Sequence, residues 1–423
     1  MSYRAMTAGH WKVEHNCPQC GGPVALDEDE RILTCGYCRV RLFVANGGGP
    51  MRYVLPPRHA DVGSIVMVPY WRLRGLVFRG VACALTPRLV DGTRLASPSP
   101  GLAPTLGVRP QAMALRFASA ELGDRFVAPS VEPRFSAVRK TRTPGTRLLD
   151  DALFEIPLVP VTSIVYQPVR LAGGVFDAIG SRRLGALAAD DWLAQAGAMD
   201  EAAPTVRFLS TLCPWCSWQL DSHPESLVLT CGLCRSAYVA IEKGLTQIDY
   251  WRLPANGWAP VCHAPFWRVR AEVAGAGLDS WAQFARFANL PAVVRTAWEN
   301  EGIDYWIPAF TATADQFLRL ARTMTLARLA PVPAGRDHEA KPIAQPGPVT
   351  LPPSCLPNAV KILLADAGHP KVTVFPRLAD FAPRVTRADL VYVPLADAGA
   401  DFVNPDADLV VSARRGPGPK TYF

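Results

Sequence analysis

The stretch CPQCGGPVALDEDERILTCGYCR, residues 17–39, carries two Cys-x2-Cys pairs around a short acidic run, and CPWCSWQLDSHPESLVLTCGLCR, residues 213–235, repeats the layout. Each reads C-x2-C-x14-C-x2-C, through Cys17, Cys20, Cys35 and Cys38 and then Cys213, Cys216, Cys231 and Cys234. Two residues between thiols let both sulfurs of a tight turn face one point, and two such turns joined by a short hairpin close a tetrahedral shell of four sulfurs. RILTC and LVLTC read as strands leading into the second pair, with RLFVA and AYVAI as strands leaving it. Gly36 and Gly232 follow the third cysteine, where a tight backbone brings N–H groups toward sulfur.

These two segments, bounded here as 10–48 and 206–246, resemble zinc ribbons. The resemblance implies one structural Zn2+ in each, since four thiolates leave no position for water or substrate. A rubredoxin-like iron centre is the alternative donor chemistry, although that family separates its pairs by a longer segment. Asp27, Glu28, Asp29 and Glu30 face a single Arg31 in the first ribbon, and the second has Asp221 and Glu225 with no Lys or Arg between Cys213 and Cys234. Such acids read as a solvated hairpin tip or as a contact for a basic protein surface. Phosphates would be repelled.

The likeness between the halves extends past the cysteines. VPYWRLRG at 68–75 matches APFWRVRA at 264–271, and Cys17 to Cys213 and Trp71 to Trp267 are both 196 residues apart. That register points to internal duplication. Within the first half, SIVMVPYWRLRGLVF at 64–78 echoes SIVYQPVRLAGGVF at 163–176, and LVYVPLADAGADF at 390–402 is a looser fourth candidate. The expected organisation is therefore ribbon 10–48, β-rich modules at 49–130 and 131–200, ribbon 206–246, an α/β module at 247–330, a Pro-rich linker at 331–353 and a last module at 354–423. Each module is expected to run a strand into a Pro and on through a Gly turn. The fold class is α+β, β-rich, with few helices: one over 313–328, capped by Thr313 and Gln316 and packing Phe317, Leu320, Ala321 and Met324, and one carrying Trp281, Phe284, Ala285 and Ala288. The segment 331–353 reads as a linker or an extended crossing strand, 134–147 as a basic loop, and the tail as frayed. The whole pattern, a ribbon followed by a Pro-aromatic-Trp-Arg phrase, resembles uncharacterised bacterial tandem zinc-ribbon proteins, a likeness that implies no particular activity.

On a strand, Tyr70, Arg72 and Arg74 share one face and Trp71 and Leu73 the other; Phe266, Arg268 and Arg270 repeat the first face. Paired guanidiniums beside an aromatic ring suit a partner's carboxylate or a phosphate, or else a stacking role inside the fold. Cys262 and His263 are adjacent, but strand neighbours point to opposite faces and do not form a dyad. Cys83, Cys262 and Cys355 read as buried thiols.

The chain has 423 residues, 49% apolar and 19% charged, and a net charge of +7. That composition fits several folded domains, and so modest a positive charge does not by itself identify a nucleic-acid binder. No apolar run reaches the roughly 18 residues a membrane helix needs, and the start of the chain lacks a signal-peptide pattern. A cytoplasmic location is expected, where Cys pairs serve as metal ligands more than as disulfides. No phosphate loop, nucleophile elbow or metalloprotease helix is present. The expected role is a non-catalytic protein-interaction adaptor or assembly factor holding two Zn2+. A nucleic-acid binder using the Trp-Arg-x-Arg strands is the first alternative, and a rubredoxin-like redox protein the second.

Overall fold

The computed structural model describes residues 11–46, 49–57, 65–98, 101–119, 125–132, 152–172, 174–180, 182–185, 196–197, 206–241, 244–335, 343 and 345–412, with backbone pieces at 414–415 and 421–422. The basic stretch 134–147 and most of the tail lie outside the described residues.

Ribbon 1 pairs β1 (Lys12–Asn16) with β2 (Pro23–Asp27), and β3 (Ile32–Thr34) with β4 (Arg41–Ala45), both antiparallel. The first large sheet, nine-stranded among the described residues, is built around β5 (Met51–Val54), β6 (Ile65–Val81), β7 (Ala84–Leu95) and β8 (Phe154–Leu171). β8 runs parallel to β5 and antiparallel to β6, and β7 folds back on β6 through a two-residue turn at Ala82 and Cys83, both at positive φ. After β9 (Arg207–Ser210), ribbon 2 supplies β10 (Val228–Thr230), β11 (Ala237–Ile241) and β12 (Gly244–Ile248). The second large sheet uses β13 (Tyr250–Arg252), β14 (Cys262–Ala274), β15 (Tyr305–Pro308) and β16 (Ala382–Asp397). Strands outweigh helices, which places the chain in the β-rich α+β class.

The two large sheets share one pairing scheme. β16 lies parallel to β13 and antiparallel to β14, as β8 does to β5 and β6. Pro69 faces Tyr166 and Pro265 faces Tyr392. The Leu55 N–H donates to the Tyr166 carbonyl at 3.0 Å, and the Leu253 N–H donates to that of Tyr392 at 3.0 Å. The echo between 64–78 and 163–176 thus falls on β6 and β8, two strands paired in one sheet across the 130/131 boundary. The strand in 390–402 completes the second sheet in the same way.

Gly75 departs from the expected turn. β6 runs unbroken for 17 residues, and Gly75 faces an irregularity in β8 between Leu158 and Val161. A Cβ there would meet the Leu158 carbonyl oxygen at 2.5 Å and the Val159 Cα at 2.6 Å. Both are backbone atoms, which cannot swing aside as a side chain could. Gly75→Ala is expected to cost about 1–3 kcal/mol, the range for forced overpacking, read as a lower midpoint in a denaturant titration. In the echo phrase the Gly turn does form, with the Ala172 N–H donating to the Gly174 carbonyl at 3.0 Å before the chain re-enters the sheet at Val175.

Helices α1 (Trp281–Phe287), α2 (Ala314–Ala327), α3 (Leu356–Ala367) and α4 (Lys371–Arg377) belong to the second half. Ser280 and Gln283 form a reciprocal capping box on α1, and the Thr313 hydroxyl accepts the Gln316 N–H of α2 at 3.2 Å. The apolar faces expected on α1 and α2 are the buried ones. The described part of 331–353 is the crossing form of the two expected: Val332–Ala334 pairs with β13, and Val349 lies buried with its carbonyl accepting the Leu227 N–H at 2.8 Å.

One apolar core joins the halves. Phe78, Phe154, Ile156 and Leu158 of the first sheet meet Phe317, Leu356, Val360 and Phe375 of the helices. The Phe154 ring stands edge-on to Phe375 at 5.0 Å, a contact worth about 0.5–1.5 kcal/mol beyond area burial. The ribbons also pack together. β9, which leads into ribbon 2, adds antiparallel to β4 of ribbon 1, and Ile32, Phe43 and Ala45 pack with Cys213, Leu220, Leu229, Cys231 and Tyr238. No helix among the described residues is long and apolar enough to cross a membrane.

Candidate metal centres

Each Cys-x-x-Cys pair closes as the same turn. The Gly21 N–H donates to the Cys17 carbonyl, and Arg39, Ser217 and Arg235 do likewise to Cys35, Cys213 and Cys231, at 2.8–3.0 Å. The residue after the second cysteine of each pair takes a positive φ: Gly21 at 75°, Arg39 at 61°, Ser217 at 58° and Arg235 at 62°. The tight position is therefore one residue beyond each pair, not at Gly36 or Gly232. Only one of the four is Gly, the residue for which that conformation is free of strain, so the other three must be held there by the turn around the sulfurs.

The sulfurs of Cys17, Cys20, Cys35 and Cys38 all lie within 4.8 Å of one another, as do those of Cys213, Cys216, Cys231 and Cys234. Cys17–Cys38 and Cys20–Cys35 stand at 3.7 Å, and Cys213–Cys234 and Cys216–Cys231 at 3.5 Å. Sulfurs in a tetrahedral zinc shell with bonds of about 2.3 Å lie roughly 3.8 Å apart, while a disulfide is about 2.05 Å. All eight are free thiols at ion-binding spacing, so each quartet can hold one metal ion in a zinc-ribbon-like site. Tyr37 donates its N–H to the Cys35 sulfur at 3.4 Å, and Cys234 does so to Cys231 at 3.5 Å. The thiols of each quartet are not held alike. The backbone N–H groups of Cys38 and Tyr37 hold Cys35 down to about 6. Burial opposes ionisation of Cys213, but the Tyr238 hydroxyl and the N–H groups of Cys216 and Trp215 outweigh it and hold that thiol down to about 6. Full ionisation of a quartet needs a cation to balance it.

The centres differ in their surroundings. The Tyr238 hydroxyl lies 3.3 Å from the Cys213 sulfur, and Ser236 Oγ lies 3.4 Å from the Cys234 sulfur. The matching residues of ribbon 1, by the 196-residue offset, are Leu42 and Val40, which have no hydroxyl. Cys20 and Cys38 are exposed, while Cys216 and Cys234 are half-buried.

The Trp-Arg-x-Arg strands are engaged from within. Arg72 is fully buried; its Nε donates to Glu28 Oε2 at 3.0 Å and its Nη2 to Glu28 Oε1 at 2.6 Å. Nη1 pairs with Asp91, and the guanidinium lies 4.0 Å from the centre of the Trp11 ring. Arg74 pairs with Asp29 at 2.9 Å. The acids of ribbon 1 are thus not a solvated tip: Glu28 is 3% exposed and seats the ribbon on β6. Burial pushes the Glu28 carboxyl up, and Arg72 offsets only part of that rise. In the second half Arg268 pairs with Asp389 at 2.7 Å and lies 5.2 Å from the Trp251 ring, and Arg270 pairs with Asp304 at 2.7 Å. Tyr70 is buried with its hydroxyl donating to the Ala103 carbonyl at 3.0 Å, and Phe266 is buried edge-on to Phe310. The four arginines among these six residues each meet a carboxylate of this chain, Arg270 with its side chain still exposed. Asp91, Asp389, Trp11 and Trp251 escape a reading of the sequence, which names Glu28 in its acidic run but not Arg72 as its partner.

Cys262 and Cys355 are buried thiols that burial pushes up to about 11, away from nucleophilic chemistry; Cys83, expected to be buried, is exposed, because it sits in the tight turn between β6 and β7. Comparison with protein families, curated proteins and solved structures finds no match to this chain.

Proposed function

We propose that this is a non-catalytic zinc protein whose two four-cysteine ribbons are structural, and that it acts as a protein-interaction adaptor or assembly factor. The observation that carries the reading is the closure of both quartets: four thiols around one point fill a tetrahedral shell and leave no coordination position for a substrate. Burial supports it, since Cys17 and Cys35 sit in the core of the first sheet and Cys213 and Cys231 in the core between the ribbons. In this reading Cys17, Cys20, Cys35 and Cys38 ligate one Zn2+ and Cys213, Cys216, Cys231 and Cys234 the other. The reduced thiols suit a cytoplasmic location, and the matching sheets descend from one duplicated unit.

Elemental analysis of the purified chain is the test. Two zinc ions per chain in a colourless protein is the expected result. A red protein with an iron–thiolate visible spectrum would overturn it in favour of electron transfer. The nucleic-acid reading draws less support: the Arg72 guanidinium is enclosed, and Arg74, Arg268 and Arg270 are each paired with an internal carboxylate.

A further inference from the structure

The two quartets share a turn geometry but not a setting. Cys20 and Cys38 are exposed, whereas Cys216 and Cys234, their counterparts at the 196-residue offset, are half-buried. Cys216 and Cys234 pack against the core between the ribbons, while only Cys17 and Cys35 of quartet 1 belong to a core. The one large side chain between Cys35 and Cys38 is Tyr37. Its ring leans on Gly22, where a Cβ would lie 2.8 Å from it, and Tyr37 is itself 68% exposed. Hydroxyls make the second difference. Tyr238 and Ser236 place theirs 3.3 Å from the Cys213 sulfur and 3.4 Å from the Cys234 sulfur, where ribbon 1 has Leu42 and Val40. A thiolate has no proton to give, so toward an ionised quartet both hydroxyls donate. That draws electron density from sulfur and makes it a poorer nucleophile.

We propose that quartet 1 is an oxidation site: hydrogen peroxide converts its thiolates to disulfide and frees the ion of ribbon 1, while ribbon 2 keeps its own. The proposal rests on the reading of both quartets as zinc sites. An exposed thiolate is the nucleophile that meets the oxidant first. The Cys38 sulfur attacks one peroxide oxygen, the O–O bond breaks, and hydroxide leaves behind a sulfenic acid. The Cys17 thiolate, 3.7 Å away, then attacks that sulfur, expels its oxygen as a second hydroxide and closes a disulfide. Two electrons pass from two sulfurs to one peroxide. Cys20 stands in the same relation to Cys35, also at 3.7 Å. Either disulfide leaves two thiolates, too few to close a tetrahedral shell. The sulfurs of quartet 2 are as close, at 3.5 Å, so access and the two hydroxyls set the order rather than spacing.

The experiment treats the zinc-loaded full chain with hydrogen peroxide beside a chromogenic zinc chelator, then blocks free thiols and maps disulfides by peptide mass. The expected result is one ion released at least tenfold faster than the other, with Cys17–Cys38 or Cys20–Cys35 as the linked pair. Reduction with added zinc restores two ions. Ser236→Ala with Tyr238→Phe, which removes the hydroxyls and keeps the ring, is expected to speed loss of the second ion at least threefold. Cys83→Ser, which removes the other exposed thiol among the described residues, is expected to change nothing. Equal release of both ions, first loss from quartet 2, or protection by Cys83→Ser overturns the proposal. A second ion lost at the wild-type rate from the double variant overturns the role given to the hydroxyls. Two zinc ions that both survive peroxide remove this inference and leave the structural-zinc reading standing, whereas a chain purified with iron removes both.

Discussion

Cys17→Ser and Cys213→Ser are each expected to abolish one metal centre, so that metal content falls from two ions per chain to one and the corresponding ribbon unfolds. The expectation follows from the three strained positions beside the knuckles. Arg39, Ser217 and Arg235 are held at positive φ in turns that wrap sulfur, and left-handed backbone costs a non-Gly residue about 1–2 kcal/mol. Ligation of an ion by the four thiols would outweigh that cost. In small zinc modules the binding free energy is of the order of 10–16 kcal/mol and is inseparable from folding. The two variants should differ in reach. Loss of centre 2 disturbs the shared core of Cys213, Cys231, Tyr238, Ile32 and Phe43, and with it ribbon 1. Loss of centre 1 withdraws Ile32 and Phe43 from that same core but leaves ribbon 2 its own three-stranded sheet of β10, β11 and β12. Hydrogen exchange with metal analysis on the same samples reads both effects. Full metal content and wild-type protection in either variant would contradict them.

Glu28→Ala is expected to destabilise the fold by about 3–5 kcal/mol, the cost of leaving a buried charge without its partner. Arg72 has no exposed surface, so its guanidinium cannot turn to water when Glu28 is lost. Asp91 compensates in part, from one side only. The double variant Glu28→Met, Arg72→Met should recover most of the loss, because a buried ion pair replaced by apolar groups of similar volume is often neutral or better. A double-mutant cycle in urea measures the coupling. A Glu28→Ala loss no larger than that of an exposed pair, about 0–1 kcal/mol, would show that the ribbon does not lean on this contact.

The sequence is most informative where partners are near in the chain. The ribbon strands at Arg41–Ala45 and Ala237–Ile241 match the residues expected from their apolar alternation, and Thr313 starts α2 because its cap is a local hydrogen bond. Reading fails where a distant partner decides. Glu28 looks like a solvated acid until Arg72, 44 residues away, arrives to bury it. Pro69 and Gly75 look like breaks, yet β6 is continuous because β8 lies along its length and its irregularity fills the space a side chain would take. Helix α3, LPNAVKILLADA, escapes notice because it is buried around nearly its whole circumference and so lacks the one-sided pattern that marks a surface helix.

The placement of β9 bears on the order of assembly. Residues 207–210 finish an edge of ribbon 1, although they come after the whole first sheet in the chain. A ribosome that has delivered only the first 200 residues has therefore made every ligand of the first ion but not the strand that flanks it. Cutting the gene between the first sheet and Arg207 would likewise yield two fragments, one with an uncovered edge and the other with a stray strand. Each half depends on the other to become whole.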